Sequence, residues 1–325
     1  MASPIPANPA SKTLGISLVL LSTVGLALQN VILRLLFTPS SVIGWLGAGG
    51  WVSTSFGNVV FLLALRMVLM TLFVAAAART LYAPTLGSLG RLLRQPPLLT
   101  HTLASGLCLF LGQVCLYRAL SLMATGVAIA IFFIYPVITV LLAWGLFSQR
   151  PRPYQLWLIP VITLGVVLTA FDPTDASVGS YLGVLWAAGA GLSFGFYGIF
   201  TEISLRPDTG LHPVPFSLAV FAMVAVLSSL TVLLIGGVHI AAASRTPVLI
   251  CSIISALLTL VAYLLNNFGI GYIGAALTAL LSSSTPVLSG LFAWWLLQEA
   301  LHPQQQLGVL LVTLGIGALS LKLRS

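Results

Sequence analysis

Residues 131–165, IFFIYPVITVLLAWGLFSQRPRPYQLWLIPVITLG, and residues 281–315, LSSSTPVLSGLFAWWLLQEALHPQQQLGVLLVTLG, are two versions of one passage. At a constant offset of 150, Pro136 meets Pro286, Val137 meets Val287 and Leu141 meets Leu291. Ala143-Trp144 meets Ala293-Trp294, Pro153 meets Pro303, Gln155 meets Gln305, and Thr163-Leu164-Gly165 meets Thr313-Leu314-Gly315. Apolar residues coincide often by chance; a proline, a tryptophan and a Thr-Leu-Gly triplet in one ungapped register do not. The register runs unbroken from Leu107 to Thr169. Upstream it becomes 168, pairing Leu14-Gly15 with Leu182-Gly183, and the longer segment Thr38–Ser55 absorbs the difference of 18.

Composition says what solvent this repeated unit meets. Hydrophobic residues are 59% of the 325 and charged residues 6%, with a mean hydropathy of +1.11. A soluble domain carries about 25% charged residues to keep its surface wet. This chain has too few to cover a globule, so its solvent is lipid. Apolar runs bounded by Pro, Gly or charge predict ten spans at 14–37, 56–78, 99–121, 125–147, 154–171, 180–202, 215–237, 248–270, 275–297 and 304–322. Each is near the ~20 residues that cross about 30 Å of hydrocarbon. The reading is therefore an all-α polytopic membrane protein of ten transmembrane helices: a flexible tail at 1–13, a first five-helix repeat at 14–171 and a second at 180–322.

The net charge of +8 is scattered in ones and twos rather than clustered on a face, which argues against nucleic acid as a partner. With the N-terminus in the cytoplasm, Lys12, Arg79, Arg91, Arg94, Arg150, Arg152, Arg206, Lys322 and Arg324 fall inside and Arg245 alone outside. That asymmetry predicts two cytoplasmic termini in a cell (inner) membrane, with Asp172 and Asp175 external. The basic stretch 85–97 reads as a cytoplasmic loop or a short surface helix, the loop being the simpler reading for its length.

Five spans per unit is an odd number, so the second copy enters from the opposite side of the bilayer. Inverted repeats about an in-plane pseudo-two-fold axis are a recurrent architecture of secondary transporters, which rock about a midplane site. Ala119-Leu120, Pro136, Trp144, Pro153 and Gly165, followed by Pro286, Trp294, Glu299, Gly308 and Gly315, resemble the EamA domain. That domain occurs twice in the drug/metabolite transporter superfamily. The resemblance implies ten spans and export or exchange of small metabolites, often amino acids. The first copy has Gln149 opposite Glu299 and Leu158 opposite Gly308, so no symmetric acidic role carries over.

Arg66 is the sharpest single residue. It lies about ten residues into the second span, roughly 15 Å deep. A cation there costs at least ~2.5–3.5 kcal/mol, so it must face a cavity, a solute or the carbonyls of a broken helix. Arg34 and Arg118 lie near outer helix ends, where they snorkel to headgroups or line the outer pathway. With no carboxylate at mid-span, the outer half is positive and favours a carboxylate-bearing solute. Asn30, Gln113 and Asn267 are further candidate contacts, or hydrogen bonds between helices. Ser283 and Ser284 precede Pro286, and Tyr135 precedes Pro136. The two prolines mark candidate helix breaks or gates, one wall hydroxylic and the other aromatic.

Cys108, Cys115 and Cys251 read as small core hydrophobes, and no spacing suggests a metal, a cofactor or a catalytic nucleophile with its base. Glu202 and Glu299 sit only near span ends, which favours facilitated diffusion or exchange over proton coupling. The expectation is a non-enzymatic carrier of a small-molecule substrate within the lipid bilayer. A membrane sensor or assembly factor on the same scaffold is the alternative. Oligomeric state is not encoded legibly.

Overall fold

The computed structural model describes residues 9–37, 39–42, 45–53, 55–122, 131–148, 153–170, 181–209 and 211–297, with scattered positions between 303 and 315. Proline opens several helices, where its missing N–H is no loss and its fixed φ suits the first turn. Thus α1 spans Pro9–Phe37, α4 Pro96–Leu122, α6 Pro153–Ala170 and α8 Pro213–Ile235. Between them lie α2 (Phe56–Leu81), α3 (Thr85–Arg94), α5 (Tyr135–Phe147) and α7 (Tyr181–Ser204). The chain continues through α9 (Arg245–Ile273), α10 (Ala275–Ser282) and α11 (Thr285–Leu297).

Among the described residues, seven helical stretches are long and apolar enough to cross a membrane. The last of them, Ala275–Leu296, runs through α10 and α11, while Tyr135–Phe147 and Leu156–Gly165 are shorter apolar helices. The outer surface is apolar too: Leu233, Leu234 and Trp157 are 81%, 77% and 80% exposed. Such residues belong against acyl chains, not water.

Several sequence expectations need adjusting. Helix α1 begins at Pro9, inside the stretch expected as a tail over 1–13. Segment 38–55, read as loop, contains an antiparallel hairpin, β1 (Pro39–Val42) with β2 (Trp45–Gly49), a small addition to a helical fold. Its exit is tied to α1 by Gly50 N–H to Leu35 O (3.0 Å) and Val52 N–H to Leu36 O (3.1 Å), which answers two carbonyls left open at the helix end. The stretch after Thr85 is a helix, not a loop. Arg91 and Arg94 in its last turn suit the negative end of the dipole. Residues 123–130 and most of the tenth expected span, 304–322, lie outside the described residues.

Contacts between the two halves follow a two-fold pattern. α1 lies along α9, α4 along α7, and α2 along α8. The repeat registers equate α1 with α7 and α4 with α9, so the first pair maps onto the second. The third, made of the second span of each half, maps onto itself. Individual contacts repeat as well. A Cβ on Gly25 would sit 3.1 Å from the Cβ of Ala262, and one on Gly112 would sit 3.3 Å from that of Ser193. Gly25 and Ser193 are 168 apart, Ala262 and Gly112 150 apart. The small residues of α7 also serve close packing: Ala187 and Ala190 are fully buried.

Candidate functional site

The repeated prolines stand beside two equivalent interruptions. Ile134 N–H bonds Ile131 O at 3.1 Å, and 150 residues later Ser284 N–H bonds Leu281 O at 3.2 Å. These three-residue closures end one helical turn before α5 and α11 begin. Pro136 lies in the first turn of α5 and Pro286 is the second residue of α11, positions where proline removes no intrahelical bond. Ser283 Oγ donates to Ala279 O (3.3 Å) and Ser284 Oγ to Leu281 O (2.9 Å). Both hydroxyls therefore satisfy helix-end carbonyls.

A cavity of about 70 Å³ lies beside these interruptions. Tyr135 and Thr139 of α5, Phe194 and Tyr197 of α7, Tyr263 and Asn266 of α9, and Thr278 and Ser282 of α10 line it, with Leu26 of α1. Leu26 and Phe194, both in the lining, are 168 apart in the sequence, the offset that relates the first span of each half. The aromatic wall is continuous: Phe194 stands edge-on to Phe132 (5.0 Å between centroids), and Tyr197 edge-on to Tyr263 (6.2 Å). The Tyr135 hydroxyl shares a hydrogen bond with the Ser282 side chain.

Behind this wall runs a chain of buried polar groups. Arg66 Nη2 donates to Gln113 Oε1 at 3.2 Å, and Gln113 Nε2 donates to the Tyr263 hydroxyl at 3.0 Å. Gln113 and Tyr263 are 150 apart, so this bond joins equivalent positions of the two repeats. Nearby, Tyr197 Oη donates to Asn267 Oδ1 (2.9 Å) and Asn267 Nδ2 to Ser217 Oγ (2.9 Å), tying α7, α9 and α8.

Arg66 is 5% exposed, and its guanidinium lies 5.8 Å from the Tyr117 ring centre. Its Nε is buried without a hydrogen-bond partner, and among the described residues no carboxylate forms an ion pair with it. A buried guanidinium held only by an amide and a ring is incompletely compensated, which makes the site receptive to an anion.

Of the candidates named from sequence, Tyr135 alone lines the cavity directly. Arg66 and Gln113 reach it through Tyr263, and Asn267 through Tyr197. Asn30 donates to Ser289 Oγ (3.0 Å), linking α1 to α11. Asn266, not Asn267, is the asparagine at the cavity wall, where it accepts from Ser282 Oγ at 3.5 Å. The Arg34 side chain lies outside the described residues, and Arg118 stands 5.6 Å from the Phe56 ring. Sequence reasoning missed Tyr197, Tyr263 and Thr278. The repeat register held a usable signal, since Tyr263 is the equivalent of Gln113.

Two stretches, residues 13–171 and 181–321, match the EamA-like transporter family. A protein named Uncharacterized transporter sll1319, from Synechocystis sp., is 34% identical over 314 residues, covering 94% of this chain and 93% of its own. Uncharacterized transporter YwfM of Bacillus subtilis is 28% identical over 222 residues, covering 65% of this chain and 72% of its own. A solved crystal structure superposes with a TM-score of 0.69 at 20% identity, covering 97% of this chain and 99% of its own, a likeness of fold.

Proposed function

The chain belongs to the EamA-like transporter family, and from that premise we propose a ten-span secondary carrier that moves a small carboxylate-bearing solute, an amino acid in first place, by alternating access. It is an integral membrane protein of transporter kinship. The ten spans form two inverted five-helix repeats at 14–171 and 180–322. The two-fold recurrence of contacts and the two family matches support that arrangement. The positive-inside count supports two cytoplasmic termini in a cell membrane, and the family resemblance favours export or exchange.

One observation carries the substrate class: Arg66 is a buried cation with only neutral partners, two hydrogen bonds from the cavity wall. Tyr135 is assigned as the contact at the cavity wall, with Arg66, Gln113 and Asn267 as the polar groups behind it that a solute meets as the site widens. Asn30, Ser283 and Ser284 bond other helix groups in this state. Pro136 and Pro286 mark the segments that move. The cavity of about 70 Å³ holds roughly two waters. Solute pockets run to about 300–1,000 Å³, so the site must widen to load. A small cavity beside two helix interruptions fits a site that widens by moving them.

The test is flux. Purified protein in liposomes, given a panel of labelled amino acids and organic anions, is expected to exchange at least one carboxylate solute against an internal pool. Binding of such a solute with no flux under any gradient would replace this reading with a membrane sensor.

A further inference from the structure

Glu202 is the one carboxylate on a described membrane-spanning helix, and it is 2% exposed. It lies two residues before the end of α7, at the face assigned to the cytoplasm. Its Oε2 accepts the backbone N–H of Ala275 at 2.7 Å. Ala275 is the first residue of α10, and the preceding Gly274 (φ +81°) offers no side chain to cap that helix. Glu202 supplies the cap from another helix, and its charge suits the positive end of the dipole.

The contact does more than finish a helix. Thr278, Ala279 and Ser282 of α10 line the cavity, so the carboxylate fixes one wall of it. Arg206 Nη2 stands 4.0 Å from Glu202 Oε1, and its guanidinium lies 4.1 Å from the centre of the Phe147 ring at the end of α5. The two short helices that flank the cavity, one from each repeat, are thus tied to a single carboxylate. Ala143, Ile199, Ile270 and Ala275 pack as an apolar plug around it, with Phe147 and Ile203 against them.

We propose that Glu202 is the latch of the cytoplasmic gate, a positioning residue that holds α10 against α7 and α5 while the cavity is closed to the inside. The repeat register supports a one-sided device. Residue 202 corresponds to Arg34 in α1, and a guanidinium cannot accept a backbone N–H. The equivalent position at the other end of the bundle therefore cannot form this contact. The inference rests on the orientation and carrier reading above.

The test reads accessibility and uses no solute, so it stands apart from the flux assay. Thr278→Cys is introduced with Cys108, Cys115 and Cys251 replaced by serine. A membrane-impermeant maleimide is added to the face on which a parallel Arg94→Cys protein reacts. The parent is expected to react slowly. Glu202→Leu, which offers no acceptor, should raise the rate about tenfold, the scale of a lost helix cap, while Glu202→Asp restores most of the protection. A folded Glu202→Leu protein that reacts at the parent rate overturns the latch, even if it melts earlier. Should that variant not fold, Arg206→Ala is the second arm: a smaller rise supports the latch and an unchanged rate overturns it.

Discussion

Gln113 stands at the centre of the polar chain because it meets two demands at once. Its carbonyl oxygen accepts from a buried cation, and its amide donates to the tyrosine at the equivalent position of the other repeat. Leucine would fill much the same space and answer neither. Gln113→Leu should therefore destabilise the protein by about 1.5–3 kcal/mol, the scale of a hydrogen bond to a charged group. Thermal unfolding in detergent checks this, and an unchanged midpoint would mean that Arg66 finds another acceptor. At this scale Arg66 and Gln113 were legible because a polar group at mid-span has few reasons to be there. Tyr197 and Tyr263 were not. Their helices are apolar on nearly every side, so the sequence does not say which aromatic turns inward.

The elements show how far a local signal reaches. Pro136 and Pro286 announced the two interruptions, but not that Ser283 and Ser284 would spend their hydroxyls on helix carbonyls. The hairpin of 39–42 with 45–49 was missed, being too short for hydrophobic periodicity to register. For α3 the sequence admits a surface helix, but its short length sets that reading behind a loop. What seats α5 on α7 is glycine. A Cβ on Gly195 would fall 2.7 Å from Ile138 Cγ2 and 3.2 Å from its Cβ, and one on Gly191 2.9 Å from the backbone oxygen of Phe132. The β-branched Ile138 side chain has little freedom to retreat. Gly195→Leu should drive the two helices apart, costing about 1–3 kcal/mol by overpacking, and Gly195→Ala should cost less. The midpoints of the two variants in detergent give the order; equal and negligible shifts would show that α5 is not held on α7 by close approach.

At the scale of the molecule, the repeat was the most legible feature and also the most consequential. Two offsets, 150 from the prolines, tryptophan and Thr-Leu-Gly and 168 for the first span of each half, match helix pairs that lie together in the fold. The first of these extends to the hydrogen bond between Gln113 and Tyr263. What the repeat did not foretell is where the symmetry fails. Glu202 faces a helix terminus where its counterpart is Arg34, and the paired tyrosine and asparagine at 197 and 267 correspond to Gln29 and Tyr117. Gln29 Nε2 is buried without a hydrogen-bond partner. Such asymmetries separate a carrier resting in one state from a merely symmetric bundle.

The central claim, that a buried cation with neutral partners recognises a carboxylate, is most directly tested by counterflow in liposomes with Arg66→Lys and Arg66→Met beside the parent. Lysine keeps the charge and loses the planar fork that grips a carboxylate at two points. The account expects Lys to carry the parent's solute weakly with a raised KM, and Met to lose transport with a melting midpoint close to the parent's. Full counterflow of a carboxylate solute by a well-folded Arg66→Met protein would contradict it.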